Sequence, residues 1–538
     1  DRIYKTFIFL LVFLPYFSLA DSYLEKRVFF VEKNFDYYKR ERVLATNLVI
    51  SEKFNVYVDD EFWGNLSLLE REKLVQTIKN AISTFEEKVY FQLTSVLGKE
   101  MERGINNDPK TTVLIQMMKE EVGGYFREGD YFEKAIFPSS NERKIIYLNS
   151  YWIENPIFIE NLIHEFTHLI IFNQKREIGG VEEERWVQEM ITEIAPTISG
   201  YSENLKRRIE LFKKYPQNPI LEWEEKSEDY GVISIFAHYL LDQYGKEFFS
   251  NLIRTKKTGI LGIESSANKK FDELFRNWLI AVFLQDCYLS SEYCFKNEIL
   301  KTVKIQPELH LLPTVGGSSF SIFRQVKDFT GNWQKFYGGN DNLLLELEHE
   351  DKAKFDFSLI LCDKMNKCQV QVLEPTKEGK FVINIEDFSK KYVSFSVITF
   401  AKNQTSEKDF PLSSYNFSIK ATFGQPIVNF NSSIIPNSNL PTFPVRFSCK
   451  KLERNIRMGM VGEEVRCLQE ILKKEGSDIY PEGLVTGYFG PLTFSAVKRF
   501  QQKYWQEILL PWGLTKDQPT GFVGQTTRAK INQLLSQI

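Results

Sequence analysis

The chain has 538 residues, 43% of them hydrophobic, and 68 basic against 71 acidic side chains leave a net charge of −3. That length exceeds what one core can fill, so three or four domains are expected. The near-neutral balance excludes the basic footprint of a nucleic-acid-binding protein, and the Lys and Glu runs read as solvated faces.

At the amino end, Arg2 and Lys5 precede an apolar run from Phe7 to Phe17, and Ser18-Leu19-Ala20 follows. This is the pattern of a secretory signal spanning residues 1–20, with cleavage expected before Asp21. The run is shorter than the roughly 20 residues of a membrane span, and Pro15 interrupts it. An uncleaved anchor is the alternative; no later segment reads as a membrane span.

Residues 21–150 mix helix and strand. Leu66-Ser67-Leu-Leu-Glu70 is a capping box, and Leu74, Ile78, Ile82, Phe85 and Val89 continue a helical stripe. Lys144–Asn149 is strand-like, as is the stretch Val122-Gly-Gly-Tyr125-Phe; either is a candidate edge for an extended peptide.

Residues 151–312 read as mainly helical. Asn155-Pro156 signals a helix start, and Ile159, Leu162, Ile163, Phe166, Leu169 and Ile170 form a wide apolar stripe. Within it lies His164-Glu165-Phe166-Thr167-His168, which holds two of the five histidines in the chain. Imidazoles four positions apart on a helix point the same way, one turn apart. Both can reach one tetrahedral Zn2+, with Glu165 beside them to handle protons.

A catalytic zinc takes three protein ligands and keeps one open position. The candidate third ligand lies on a second helix. Acids at Glu182, Glu183 and Glu184 suit its first turn and read as a solvated, dipole-complementing group, and Pro196 is expected to end it. On that helix Glu189 follows His168 by 21 positions, and Glu193 lies one turn further on.

His-Glu-x-x-His followed about twenty residues later by Glu-x-x-x-Glu resembles the gluzincin (thermolysin-like) zinc metallopeptidases. The phrase Trp186-Val-Gln-Glu189-Met-Ile-Thr-Glu193 resembles their hyicolysin-like branch. The resemblance implies a zincin-type α+β catalytic domain that cuts peptide bonds of a peptide or protein substrate. It implies His164, His168 and Glu189 as ligands, Glu165 as the base acting on a zinc-bound water, and Glu193 as the acid that orients His164. His238 and Tyr230 are candidates for the group that stabilises the oxyanion. They lie on Tyr230–Gly245, a segment that also reads as a core helix closed by Gly245, so a purely structural His238 is an equal alternative. Phe271–Leu279 adds a packing helix.

From about residue 313 the pattern changes to short strands rich in β-branched and aromatic residues, at 343–349, 355–362, 367–373, 381–385 and 392–400. A β-sandwich over 313–424 is the expected packing. His310 and His349 lack ligand partners nearby. The six cysteines form three local pairs, Cys287 with Cys294, Cys362 with Cys368 and Cys449 with Cys467, which suits disulfides in an oxidising compartment. Residues 425–450, rich in Pro, Asn and Ser, read as a linker.

In the last segment, Thr486-Gly-Tyr-Phe-Gly490-Pro-Leu-Thr493 recurs 34 residues later as Thr520-Gly-Phe-Val-Gly524-Gln-Thr-Thr527, each time ahead of an apolar helical stripe. With Gly462–Leu472 this makes three short helices. The motifs Gly459–Gln469, Gly487–Gly490 and Ala496–Gln501 resemble the bacterial three-helix peptidoglycan-binding domain over about 451–538. Two stretches, 473–485 and 503–519, are longer than that pattern, so no wall-contacting residue is assigned.

Taken together, the residues and the two resemblances lead to an expected secreted, cell-wall-associated bacterial zinc metallopeptidase, with peptidoglycan as partner of its last domain. Two alternatives stand beside it. One is an inactive zincin scaffold that serves in wall binding or adhesion. The other is a hydrolase of the peptidoglycan cross-link peptides.

Overall fold

The computed structural model describes residues 21–314, 318–350, 353–375, 380–403, 413–424, 451–458, 460, 463–481, 483, 485 and 489–536. The expected signal segment, the 425–450 linker and Cys449 lie outside the described residues. The chain divides into two compact units, with the boundary between residues 427 and 428.

The first unit opens with a six-stranded sheet in the order β1-β2-β3-β4-β6-β5. Its strands are β1 (Lys26–Phe30), β2 (Arg42–Ile50), β3 (Phe54–Asp59), β4 (Thr111–Gln116), β5 (Gly124–Phe126) and β6 (Ile145–Asn149). Strands β3, β4 and β6 run parallel, and β5 is antiparallel to β6. Of the two expected edge segments, only β5 is an edge; β6 is enclosed between β4 and β5.

After α1 (Asp60–Gly64) comes α2 (Leu68–Thr84), opened by the expected capping box: Ser67 Oγ accepts from Glu70 N, and the Glu70 carboxylate accepts from Ser67 N. A π-helical turn leads on to α3 (Tyr90–Leu97). Phe85 from this hairpin meets Phe54 of β3 and Phe166 at ring distances of 5.3 and 4.9 Å, which seats the helices on the sheet. Buried aromatic rings of this size dominate core energetics.

Next come α4 (Ile157–Ile171), α5 (Arg185–Ile198), α6 (Glu203–Lys214), α7 (Ser227–Arg254), α8 (Gly259–Ala267) and α9 (Phe271–Leu284). Asn155 starts α4 by accepting from Ile157 N at 3.0 Å. Buried Glu160 of α4 accepts from Glu203 N and Asn204 N, capping α6 from another helix. Gly245, at φ 71°, breaks α7 where a stop is expected, and the chain then resumes as helix. Pro196 does not end α5. Its fixed φ suits a helix, so α5 runs two residues further and stops at Ser199 and Gly200 (φ 88°).

Glu182–Glu184 depart from the solvated reading. Glu183 is buried, 2.7 Å from Lys175 Nζ, and accepts from Gly259 N. Lys175 also donates to the carbonyls of Thr255 and Lys257. Glu184 accepts from the indole of Trp186. The π-helical tail of α4 (Phe172–Ile178) brings the Lys175 ammonium under this turn, a long-range contact that local sequence does not encode.

The sandwich follows. One sheet orders β13-β10-β15-β8 and the other β12-β11-β14-β9-β7. The strands are β7 (Glu308–Leu312), β8 (Ser319–Lys327), β9 (Asn332–Gly338), β10 (Leu343–His349), β11 (Phe355–Cys362), β12 (Cys368–Val372), β13 (Phe381–Ile385), β14 (Ser394–Ala401) and β15 (Ser414–Phe423). It begins at Glu308, ahead of the expected 313, because β7 joins β9 in parallel. Cys362 and Cys368 staple the β11–β12 hairpin, and Cys287 bonds Cys294. The sandwich shares a core with the helices: Phe275 of α9 meets Phe400 at 4.9 Å, and the Trp333 indole donates to Leu279 O.

The second unit is helical, with α11 (Glu463–Lys474), α12 (Pro491–Lys503), α13 (Trp505–Ile508) and α14 (Gln525–Leu535), after the short α10 (Phe388–Lys391) of the first. The sequence repeat has a structural counterpart. Buried Gln469 donates to Thr493, and buried Gln501 donates to Thr527, the two threonines holding equivalent places in the repeat. Gln501 also bonds Gly521 N and Phe522 O, filling the polar needs of the second turn. Among the described residues no helix is long and apolar enough to cross a membrane.

Lys175→Met leaves Glu183 buried without its cation, a class of change that costs about 3–5 kcal/mol. Chemical denaturation should show an earlier unfolding transition of the first unit, with the transition of the second unmoved.

Candidate functional site

Helices α4 and α5 pack so that His164 and His168, one turn apart on α4, face Glu189 and Glu193, one turn apart on α5. His164 Nε2 lies 3.3 Å from Glu189 Oε2, and His168 Nε2 lies 3.5 Å from Glu189 Oε1. Donor atoms of all three lie within 4.8 Å of one another, the one such cluster among the described residues. Ligands at about 2.0–2.2 Å around a tetrahedral centre stand about 3.3–3.5 Å apart, so the donor set and its spacing fit Zn2+.

Behind the cluster, Glu193 Oε1 lies 3.7 Å from His164 Nδ1. Arg208 of α6 holds that carboxylate in a fork, at 2.7 and 3.0 Å. The same guanidinium sits 4.5 Å from the ring of Tyr230, near the start of α7. In front, edge strand β5 crosses α4. Phe126 stacks on His168 at 5.8 Å. A Cβ on Gly124 would come within 2.9 Å of Glu165 Cγ and 2.5 Å of Tyr147 O, so only glycine lets the strand lie this close.

Burial sets the charges. It lowers His168 to about 3, which keeps that ring neutral and able to ligate. For His164, burial is outweighed by the hydrogen bond to Glu189 and by Glu165, Glu189 and Glu193, so its affinity for a proton rises. Glu189 is held well below the usual carboxylate range: burial is overcome by His168, Arg185 and His164. Burial raises Glu165 to about 7, and its Oε2 has no hydrogen-bond partner. Burial, then Glu189, pushes Tyr230 well above the usual phenol range.

His164, Glu165, His168, Glu189 and Glu193 are thus brought together, and Tyr230 stands within electrostatic reach of Glu189 and Glu165. His238 is not brought to the cluster. Its ring is buried; Nδ1 pairs with Ser234 O and Nε2 with Thr197 Oγ1, each at 2.7 Å. That imidazole ties α7 to the end of α5, so its catalytic assignment gives way to a structural one. Arg185 and Arg208 went unassigned in the sequence. Arg185 carries a local signal, since it stands four residues before Glu189 on one helix face. Arg208, on another helix, carries none.

The chain matches the family model for a peptidoglycan binding domain over residues 461–507. That match supports association with the cell wall and peptidoglycan as a partner, and the disulfides fit an extracellular or wall-associated setting. No curated protein matches. Among solved structures, the pre-peptidase C-terminal domain of a collagenase from Bacillus anthracis is 8% identical, covering 22% of this chain and 97% of its own, at TM-score 0.16. PliG from Aeromonas hydrophila, a periplasmic inhibitor of g-type lysozyme, is 6% identical over 22% of this chain and 98% of its own, also at 0.16. A conserved protein of unknown function from Bacillus anthracis str. Ames is 11% identical over 62% of this chain and 71% of its own, at 0.24. Similarity at these scores carries no argument about this chain.

Zinc should raise the unfolding temperature of the first unit by mass action. Glu189→Ala should lose most of that rise and lower metal occupancy, read by elemental analysis after dialysis. Unchanged occupancy would reassign the third ligand.

Proposed function

We propose that the protein is a secreted zinc metalloendopeptidase of the gluzincin type, held at the bacterial cell wall by its second unit. The observation that carries this is the convergence of His164, His168 and Glu189 on one point, with a desolvated, unpartnered Glu165 beside them. Those three residues would hold the zinc, which when bound supplies an acidified water and polarises the scissile carbonyl.

The chain's own groups have distinct tasks. Glu165, raised to about 7, is suited both to accept a proton and to return it to the leaving amine near neutral pH. Glu193 accepts from Nδ1 of His164, which keeps the Nε2 lone pair directed inward. Arg208 holds Glu193 in place for that task. Tyr230 is the candidate donor to the oxyanion, because its phenol stays protonated next to the cluster. The open side of β5 offers backbone groups to an extended peptide, which would pair as an added strand across Glu165.

A second reading is favoured by the wall-binding match: the substrate is the cross-link peptide of peptidoglycan itself. A domain combination does not decide this, since function resides in the site.

The deciding experiment is digestion of casein and of purified murein by the full-length protein, with and without chelator. Chelator-sensitive cleavage of casein supports the general peptidase, and cleavage of murein alone supports the second reading. Activity on neither would leave the inactive scaffold. Glu165→Gln should keep its zinc and lose at least about 100-fold in rate, the usual scale of a general base; a fully active variant would reject the mechanism. Full-length protein should also sediment with purified cell walls, and removal of residues 451–538 should abolish this.

A further inference from the structure

Arg185 is the first residue of α5 and the most exposed member of the site, at 37% of its side chain, against 12% for His164 and 1% for Glu189. Its Nε lies 3.3 Å from Glu189 Oε1. It also acts electrostatically on Glu165, His168 and Tyr230, so the guanidinium stands over the point where the ligands converge. On its outer side, Nη2 is 3.9 Å from the carboxylate of Glu225, itself mostly exposed. An exposed pair at that distance is worth little and exchanges readily.

The charge balance makes this cation matter. Glu193 is matched by Arg208. A bound divalent metal would be matched by Glu189 and Glu165. Arg185 is then the surplus charge at the mouth, and its planar fork suits a carboxylate. From the Glu189 oxygen, a carboxylate docked on the outer edge of the fork lies roughly 6–8 Å away, allowing for a hydrogen bond of about 2.8 Å. An extended peptide advances about 3.3 Å per residue, which puts that carboxylate about two residues from the cleaved bond.

We propose that Arg185 is a specificity-determining residue, selecting peptides that carry a carboxylate within about two residues of the scissile bond. The inference rests on the peptidase reading above. It narrows the substrate class to acidic peptides, whether from proteins or from wall stems.

The test uses full-length Glu165→Gln protein loaded with zinc, so that peptide binds without being cut. Two probes are compared by calorimetry: capped Ala-Ala-Ala-Glu-Ala-Ala and the same peptide with Gln in place of Glu. The acidic peptide should bind about tenfold tighter, the scale of one charge-assisted fork. Adding Arg185→Gln should erase that preference with zinc occupancy and affinity for the neutral peptide unchanged. Adding Arg185→Lys should retain part of it, with a steeper loss in salt. Equal binding of the two peptides by the Glu165→Gln protein, or a preference that survives Arg185→Gln, overturns the assignment and leaves the peptidase reading standing. Loss of zinc in both Arg185 variants also overturns it, since Arg185 would then serve to hold Glu189. Binding of neither peptide overturns the assignment together with the peptidase reading.

Discussion

The candidate site depends on keeping one carboxylate charged in a dry place. Glu189 is almost fully buried, and an isolated ionised carboxyl there would cost several kcal/mol. Two imidazoles and Arg185 offset that cost, and they can do so only if α4 and α5 pack with their turns in step. The same logic repeats one turn further along α5, where Glu193 is matched by Arg208, and again before α5, where Glu183 is matched by Lys175. Three buried acids, each with its own base, thus fix the start, middle and register of one helix.

The opposing wall is set by the sheet. Strand β5 has only three residues, a length that limits unwanted pairing at an open edge. Its position is nonetheless firm. Tyr125 stacks on Tyr147 of β6 at 4.2 Å, and Tyr147 donates to buried Asp130, which Arg127 also holds. Gly124 then supplies the missing Cβ that brings the strand against Glu165. A rigid frame behind a short edge is the arrangement an extended ligand requires to bind in one register.

What was legible in the sequence had a local period. The pairing of His164 with His168 follows from helical spacing, as does that of Glu189 with Glu193. The capping box at Ser67 and the two turns ahead of Thr493 and Thr527 are likewise written in a few adjacent residues. What was illegible needed partners far along the chain. Glu183 looked like one of three solvated acids until Lys175 is seen beneath it. His238 looked equally suited to chemistry or to packing, and Thr197 on another helix settles the matter. The start of the sandwich was misplaced because β7 is defined by its parallel neighbour β9, not by its own composition.

The seam between the helical part and the sandwich has a consequence for how the molecule tolerates cutting. Asp356 of β11 is gripped by Arg276 of α9 and by Lys402, and Lys402 reaches back to Asp272 of α9. Together with the aromatic contacts of Phe275 and the indole of Trp333, these bonds cross the connection rather than run along it. A protease that nicks the chain near residue 313 would therefore leave two polypeptides still clasped as one particle. The break would show on a denaturing gel and go unnoticed by a sizing column.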